Sequence, residues 1–305
     1  MLSEPGHHPG DPPPRHPASG LPAHDPGSPR TQPYPLSIDL NCDMGEGMPT
    51  DASLFPFISS ANIACGGHAG DDDIMRRTIE LALQHNVAIG AHPGYPDRPN
   101  FGRIDILGKT LVMADLTDTL IRQIDRLGQI AREFGVTIRH VKPHGALYNR
   151  AAKDPTVCHL INAALRSISP NLILYGLSGS EMEQQATIAG VPFVSEVFAD
   201  RTYQCDGTLT PRTQPHALIE DPTQAVRQVL KMVHEGRVAA YDVPPVIPAV
   251  DDASALAIDT PPHEITLRAE TVCLHGDGPH AVSFAKVIHA ALLQEGIRIQ
   301  APARI

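Results

Sequence analysis

The sequence predicts an α/β fold, namely a TIM-like (β/α) barrel with seven parallel strands. From Leu36 onward, short apolar runs alternate with helix-length amphipathic segments, a pattern typical of parallel strands joined by right-handed crossovers. Seven such β-then-α units can be counted, and six runs end in a cluster of polar or charged residues. Barrel strands deliver reactive side chains to one rim in this way. A doubly wound sheet is the alternative, but it would concentrate its site at one switch point.

The strands and helices follow from periodicity and punctuation. Strands are predicted at 38–40, within 61–71, and at 87–91, 137–142, 171–177, 192–199 and 271–275. Helices are predicted at 74–86, 116–135, 156–168, 178–190, 222–236 and 280–296. The segment 116–135 carries apolar residues at helical spacing and ends at Gly135, while 178–190 begins with a capping Ser and ends in Gly.

Two segments depart from this alternation. Residues 1–35 are dense in Pro, Gly, His and Ser, and such a composition buries too little apolar area to offset chain entropy. We expect a disordered tail there and a single barrel domain over 36–305. Residues 237–268 are rich in Pro and Asp, and we expect a β-hairpin-like excursion remote from the chemistry.

Composition narrows the class of partner. The formal net charge is −10, whereas nucleic-acid binding favours a basic surface. No apolar stretch reaches the length of a membrane span. Five Cys without C-x-x-C spacing argue against a disulfide framework and favour the reducing cytoplasm. We therefore expect a cytoplasmic protein that binds neither nucleic acid nor membrane. The sequence leaves open whether the chain forms a homo-oligomer.

The first polar cluster, NCDMGEG (41–47), brings an amide and two carboxylates together. Asn41, Asp43 and Glu46 can orient a water, bind a metal or hold an ammonium group. The alternative is a loop in which Asn and Asp cap local backbone groups.

Four histidines follow four different strands: His68, His92, His144 and His275. Histidine suits general acid–base catalysis because its unperturbed pKa lies near neutrality. The same set, with Asp43 or Asp277, can ligate a metal. The sequence has no H-E-x-x-H spacing, so metal ligation is the weaker of the two interpretations. The sequence does not determine whether a metal is bound.

Charged residues at three further strand ends suggest substrate contacts. Lys142 can bind a carboxylate or phosphate, or form a salt bridge to a neighbouring strand. Glu196, Asp200 and Arg201 are expected to contact the substrate, and Arg201 can grip a carboxylate in bidentate fashion. The alternative is an internal ion pair of Arg201 with Glu196 or Asp200. His275 and Asp277 share one face of an extended segment and are expected to form an oriented acid–base pair.

The segment GRIDILGKT (102–110) superficially resembles a phosphate-binding P-loop. Five residues separate Gly102 from Gly108 where the motif has four, and no strand precedes it. We therefore predict no nucleotide site in this segment.

Seven ordered motifs carry a resemblance to the LamB/YcsF family. They are DLNCDMGEG, NIACGGHAGD, GAHPGYPD, FGR, VKPHGALYN, EVFADR and CLHGD, and they span about 38–299. The resemblance implies ATP-dependent opening of 5-oxo-L-proline to L-glutamate, together with two partner subunits similar to the B and C subunits of 5-oxoprolinase. It also implies the seven-stranded barrel of the glycoside hydrolase/deacetylase superfamily.

On this resemblance the lactam, or an ATP-activated form of it, would bind in the barrel mouth. Lys142 or Arg201 would hold its carboxylate, while Asp43 or the His275–Asp277 pair would activate water. The remaining histidines, His68, His92 and His144, would donate to the developing oxyanion. ATP, expected with Mg²⁺, would be handled largely by the partner subunits.

Two other functions stay open. One is a stand-alone metal-dependent hydrolase or deacetylase with His68, His92, His144 and Asp43 as ligands. The other is a non-catalytic binding subunit whose partners perform the chemistry.

Overall fold

The structure is a computed structural model that describes residues 36–241, 263–276 and 281–303. The predicted tail at 1–35, the middle of the excursion at 242–262 and the site candidate Asp277 lie outside the described residues. No helix in the described ranges is both long and apolar enough to span a bilayer.

The described residues contain a closed barrel of parallel strands, which confirms the predicted fold class. The strands are β1 (Ser37–Met44), β2 (Ser60–Ala64), β3 (Ala88–His92), β4 (His140–Val141), β5 (Ile173–Leu177), β6 (Phe193–Phe198), β7 (Arg237–Ala240), β8 (His263–Thr266), β9 (Thr271–Leu274) and β10 (Arg298–Ile299). Strands β1 to β6 pair in sequence, and β9 pairs with both β6 and β1. The seventh barrel strand thus closes the sheet on itself.

Helices cover the outside of the barrel. They are α1 (Asp51–Leu54), α2 (Asp72–Gln84), α3 (Leu116–Glu133), α4 (Gly145–Ala151), α5 (Pro155–Ile168), α6 (Glu181–Ala189), α7 (Pro222–Glu235) and α8 (Ala281–Gln294). Their buried faces join the outward-facing strand residues in one large apolar cluster. The short helices α1 and α4 were not predicted, because each holds too few residues to show a helical period.

Local sequence signals explain where the longer helices begin and end. Side-chain oxygens of Asp71, Asp154 and Ser180 accept hydrogen bonds from backbone N–H groups at the starts of α2, α5 and α6, as N-cap residues do. Gly190 and Gly236 end α6 and α7 in the left-handed conformation, which glycine adopts without a Cβ clash.

Strand β1 is longer than the predicted 38–40, so the first polar cluster lies partly within a strand rather than in a loop. Alternation along β1 places Asp39, Asn41 and Asp43 on one face and apolar residues on the other. Asp39 and Asn41 are buried in the barrel interior. Asp39 accepts hydrogen bonds from Ser59, Ser60 and Thr271. The barrel interior is therefore already polar near the start of β1.

Two strands differ from the predicted pattern in extent. Only His140–Val141 of the predicted 137–142 pairs in the sheet, because the preceding residues lead out of helix α3 as irregular chain. At the ends of the excursion, β7 and β8 pair antiparallel outside the barrel. Strand β10 pairs with the start of β1 and extends the sheet beyond the closing strand.

Candidate active site

A cavity of about 490 Å³ opens at the carboxyl ends of the barrel strands. Seven of the residues predicted for the site line it: Asp43, Glu46, His92, Lys142, His144, Arg201 and His275. Four more lie directly behind a lining residue and contact it: Asn41, His68, Glu196 and Asp200. Because parallel strands end on one rim, side chains distant in sequence meet here.

Lys142 lines the cavity and is almost fully buried. Its Nζ is 3.0 Å from Asp43 Oδ1 and 2.9 Å from Glu196 Oε1. Burial lowers the pKa of Lys142, but the charge of Asp43 and the neighbouring groups outweighs burial and raises it well above the ordinary value. The ammonium is therefore held charged between two carboxylates.

The surroundings of Lys142 complete its hydrogen bonding. Nζ also contacts Asn41 Oδ1 at 3.3 Å and Cys273 Sγ at 3.0 Å, while Asn41 Nδ2 donates to Glu196 Oε1 at 2.9 Å. This geometry agrees with the interpretation of Lys142 as a residue that forms salt bridges within the protein. A direct contact between Lys142 and a substrate stays a prediction.

Asp43 connects Lys142 to the histidines. Its Oδ2 lies 3.3 Å from His92 Nε2, and Asn62 Nδ2 donates to Oδ1 at 2.8 Å. Burial by itself raises the pKa of Asp43, but the positive charges of His92 and Lys142 outweigh it and hold the pKa well below its usual range. Asp43 is thus a carboxylate in a buried setting.

Three histidines and Glu46 meet on one wall of the cavity. His92 ends β3, His144 precedes α4, and His68 lies in the loop after β2. Glu46 Oε1 is 3.1 Å from His68 Nε2, 3.3 Å from His144 Nδ1 and 3.8 Å from His92 Nε2. The rings of His68 and His144 stack with centroids 3.6 Å apart.

The electrostatics of this histidine group are uneven. Burial lowers the pKa of His68 to about 4 and also lowers the pKa of His144. For His92, burial is outweighed by the negative charge of Asp43, which raises its pKa. Three imidazole nitrogens and a carboxylate oxygen, all within 4.8 Å of one another, are a donor set from which a divalent metal ion can draw its ligands.

His275, which lines the cavity, and Asp200 form an oriented pair close to Asp43. His275 Nδ1 lies 2.8 and 2.9 Å from the two carboxylate oxygens of Asp200. Burial raises the pKa of Asp200, but the charge of His275 outweighs it, so the pKa lies below normal. The sequence indicated Asp277 as the partner of His275. Asp277 lies outside the described residues, so that pair stays a prediction, and within the described residues Asp200 contacts His275.

Arg201 also lines the cavity. Within the described part of the chain it makes no hydrogen bond to Glu196 or Asp200, the two acidic residues with which the sequence suggested an internal pair. Its guanidinium donates to the backbone carbonyls of Thr210 and Ala217, and burial lowers its pKa to about 10. These carbonyls are neutral and leave the guanidinium its full charge.

The sequence patterns did not identify several residues that line the cavity or support it. Asn62 bridges Asn41 and Asp43, and its alternation with Ser60 in β2 is the signal that would have identified it. Cys273, which the sequence did not mark as a site residue, is buried and accepts a hydrogen bond from Lys142 Nζ. Arg103, Asn149 and Arg212 line the cavity, but no spacing rule places them there because they come from loops and from a helix that was not predicted.

Comparison with known proteins relates this chain to a protein family. A sequence profile described as "LamB/YcsF family" matches residues 38–305. A protein from Tolumonas auensis, named as the A subunit of 5-oxoprolinase, is 47% identical over 269 residues, covering 87% of this chain and 98% of that protein. The protein of the same name from Geobacillus kaustophilus is 45% identical and covers 88% and 98%.

Solved structures show the same architecture. The lactam utilization protein from Thermus thermophilus matches with a TM-score of 0.75 and 35% identity, covering 88% of this chain and all of that chain. A putative cellobiose-phosphate cleavage protein from Enterococcus faecalis matches with a TM-score of 0.51 at 13% identity, covering 87% of this chain and 97% of that one. At that identity the second match supports the fold alone.

Proposed function

The chain belongs to the LamB/YcsF family, and on that premise we propose that it is the A subunit of an ATP-dependent 5-oxoprolinase. The enzyme would open the lactam of 5-oxo-L-proline to L-glutamate. The observation that carries the proposal is the cavity at the strand ends, where the His275–Asp200 pair and the Asp43–Lys142 pair face the same space. The names of the relatives supply the substrate class.

The cavity suits a small, polar, charged substrate. Its volume of about 490 Å³ lies at the lower end of the range of ligand pockets. Arg201 carries a charge that its carbonyl partners do not neutralise, whereas Lys142 already pairs with two carboxylates. We therefore assign the substrate carboxylate to Arg201 in preference to Lys142.

His275 is the general base that the geometry favours. Because its Nδ1 faces Asp200, a proton on that nitrogen leaves Nε2 as the acceptor. A carboxylate that fixes the tautomer and orientation of a catalytic imidazole in this way is a recurrent device. His275 Nε2 would take a proton from the water that attacks the lactam carbon, and Asp43 would help to position that water.

The C–N bond of a lactam is stabilised by resonance, so unassisted attack by water is slow. Transfer of the γ-phosphoryl group of ATP to the lactam oxygen would make the ring carbon more electrophilic. Over the whole reaction two waters are consumed, the C–N bond breaks, and glutamate, ADP and phosphate leave. We assign ATP and Mg²⁺ handling to partners that correspond to the B and C subunits of 5-oxoprolinase. Cytoplasmic location belongs to the same proposal.

Glutamate release tests the proposal directly. The chain is combined with the two partner subunits, 5-oxoproline and Mg-ATP, and glutamate and phosphate are measured. Glutamate should form only when the chain and ATP are both present. If the two partners release glutamate at an undiminished rate without this chain, the catalytic assignment is wrong.

His275→Asn should lower kcat by roughly 10²- to 10⁴-fold with little change in KM, since it removes the proposed base. Asp200→Asn should lower kcat less and move the pH profile, because it alters only the orientation and tautomer of the imidazole. His159→Asn, on the exposed side of α5, is the matched control and should leave kcat unchanged. Full activity in His275→Asn would exclude His275 as the base.

The same assay separates the two other functions. Product formation by the chain alone, independent of ATP and lost on adding EDTA, would indicate a metal-dependent hydrolase. Activity of the complex that is unaffected by Asp43→Asn, His144→Asn and His275→Asn, but lost without the chain, would indicate a non-catalytic binding subunit.

A further inference from the structure

We propose that Glu46, His92 and His144 form a binding site for a divalent transition-metal ion in the wall of the cavity, with Zn²⁺ as the representative ion. The inference does not rest on the proposed lactam chemistry, because it concerns only which cation these three side chains hold. It starts from the hydrogen bonds that fix the two imidazole rings.

Each imidazole is fixed by a backbone carbonyl on one of its nitrogens. His92 Nδ1 lies 2.7 Å from the carbonyl oxygen of Lys142, and His144 Nε2 lies 2.9 Å from the carbonyl oxygen of Phe101. A carbonyl oxygen only accepts, so both ring nitrogens must donate. A neutral imidazole has a single N–H. When both rings are neutral, the other nitrogens, His92 Nε2 and His144 Nδ1, are therefore left with lone pairs.

These two lone-pair nitrogens face each other across 2.9 Å. Two acceptors at that separation repel, and the site is buried, where water cannot offset the repulsion. Glu46 Oε1, a third acceptor, lies 3.3 Å from His144 Nδ1 and 3.8 Å from His92 Nε2. A cation between the three atoms resolves the conflict. A proton bridges only two of them, whereas a metal ion uses all three.

The spacing and the donor types fit a transition metal. Ligands about 2.0–2.1 Å from a tetrahedral Zn²⁺ are roughly 3.3–3.4 Å from one another, and the three separations of 2.9, 3.3 and 3.8 Å lie around that value. Imidazole nitrogen favours Zn²⁺ and related ions over Mg²⁺ and Ca²⁺, which prefer oxygen.

Each proposed ligand is held by an outer partner, as ligands in metal sites are. The Lys142 and Phe101 carbonyls hold the two imidazoles, and His68 Nε2 lies 3.1 Å from Glu46 Oε1. Because the His68 ring stacks parallel on His144, a metal in the plane of His144 lies outside the plane of His68. We therefore assign His68 to positioning Glu46. The three ligands line the cavity whereas His68 does not, so the proposed site is accessible from the cavity. Asp43 Oδ2, 3.3 Å from His92 Nε2, is the nearest additional carboxylate.

Direct metal binding tests the site on the full-length chain. The tail between residues 1 and 35 contains four further histidines, which can bind Zn²⁺ by themselves. A background variant with His7→Ser, His8→Ser, His16→Ser and His24→Ser removes this contribution. After dialysis against EDTA, this variant is titrated with ZnSO₄ by calorimetry, and bound zinc is counted by elemental analysis. We expect one Zn²⁺ per chain and no uptake of MgCl₂.

Two substitutions in the same background locate the ion. Glu46→Gln and His144→Asn should each weaken Zn²⁺ binding by at least about 10- to 100-fold, while His159→Asn should not change it. Circular dichroism shows whether the variants fold. Zn²⁺ should raise the Tm of the background variant, because a ligand that binds only the native state stabilises it. At the same Zn²⁺ concentration it should raise the Tm of Glu46→Gln by less, because that variant binds Zn²⁺ more weakly.

Absence of zinc uptake by the background variant would overturn the proposal, as would zinc uptake that both substitutions leave unchanged. In the first case the two nitrogens share a proton only. Neither measurement uses ATP or the lactam, so failure here leaves the proposed function standing.

Discussion

His140 shows how one buried side chain organises the base of the site. It is fully buried in the barrel, where its Nε2 lies 2.8 Å from Asn62 Oδ1. Its ring stacks on Tyr175 with centroids 4.1 Å apart. Asn62 in turn donates to Asn41 and Asp43. Burial, assisted by the charges of Lys142 and Arg139, lowers the pKa of His140 to about 3, so the neutral ring supports the residues that line the cavity.

Stability should depend on pH through His140. Its folded pKa of about 3 lies below the unfolded value of about 6.5, so the unfolded chain takes up the proton first. The stabilisation is complete above pH 6.5 and is lost as the pH falls towards 3. At pH 5 the loss should be about 2 kcal/mol. Urea unfolding at pH 7.5 and pH 5 measures it, and His140→Gln should show a smaller difference between the two pH values. Equal pH dependence in both proteins would contradict the assignment.

At the scale of elements, the pairing of β3 with β4 depends on a glycine. Gly90 lies opposite His140 in the register of the two strands, and a Cβ at position 90 would overlap the His140 ring. The next residue on the same face of the strand, His92, is the end of β3 and lines the cavity. The absent side chain at 90 therefore makes room for the ring that supports the site.

Gly90→Ala should destabilise the protein by about 1–3 kcal/mol, because the His140 ring must leave its stacked position. Gly128→Ala is the matched control. Gly128 lies within helix α3, nothing lies near its potential Cβ, and alanine there should stabilise the helix by about 0.5–1 kcal/mol. Urea midpoints of the two variants should thus move in opposite directions. A Gly90→Ala midpoint at or above that of the unmodified chain would show that the ring can move without cost.

At the scale of the whole molecule, closure of the barrel brings the two ends of the described domain together. Strand β9 joins β6 to β1 over Asp39–Cys42, and β10 then pairs with the beginning of β1. Thr271 in β9 donates to Asp39 and accepts from Asn41. The last strands therefore support the first polar strand, and through it Asp43.

Truncation after Gly296 should test this closure. It removes β10 and the buried Ile297, together with the backbone hydrogen bonds of Arg298 to Leu36 and Gln300 to Ile38. Loss of that apolar contact alone should cost about 1.5–3 kcal/mol. Thermal and urea unfolding measure the loss, and truncation after Ala303 is the control. Equal stability of the two truncated chains would mean that β10 contributes nothing to closure.

The alternation of apolar strands with amphipathic helices was enough to predict the barrel, because periodicity and capping are local properties of the chain. Sequence order also placed the polar residues at strand ends, and a parallel barrel gathers such ends on one rim. The length of β1 was not predictable, because polar residues such as Asn41 and Asp43 are typical of loops. They are accommodated inside the barrel because Asp39, Asn62 and Thr271 make that part of the interior polar.

The sequence by itself determined the fold class and the residue types available for chemistry. Only the tertiary structure decided which of them meet: His275 with Asp200, Lys142 with both Asp43 and Glu196, and His92 with His144. The physical reason is that side-chain pairing across a barrel depends on distances of a few ångströms between residues about 50 to 100 positions apart, which the local pattern of the chain does not encode. His92 Nε2 and His144 Nδ1 face each other at 2.9 Å only because two distant carbonyls fix the rings.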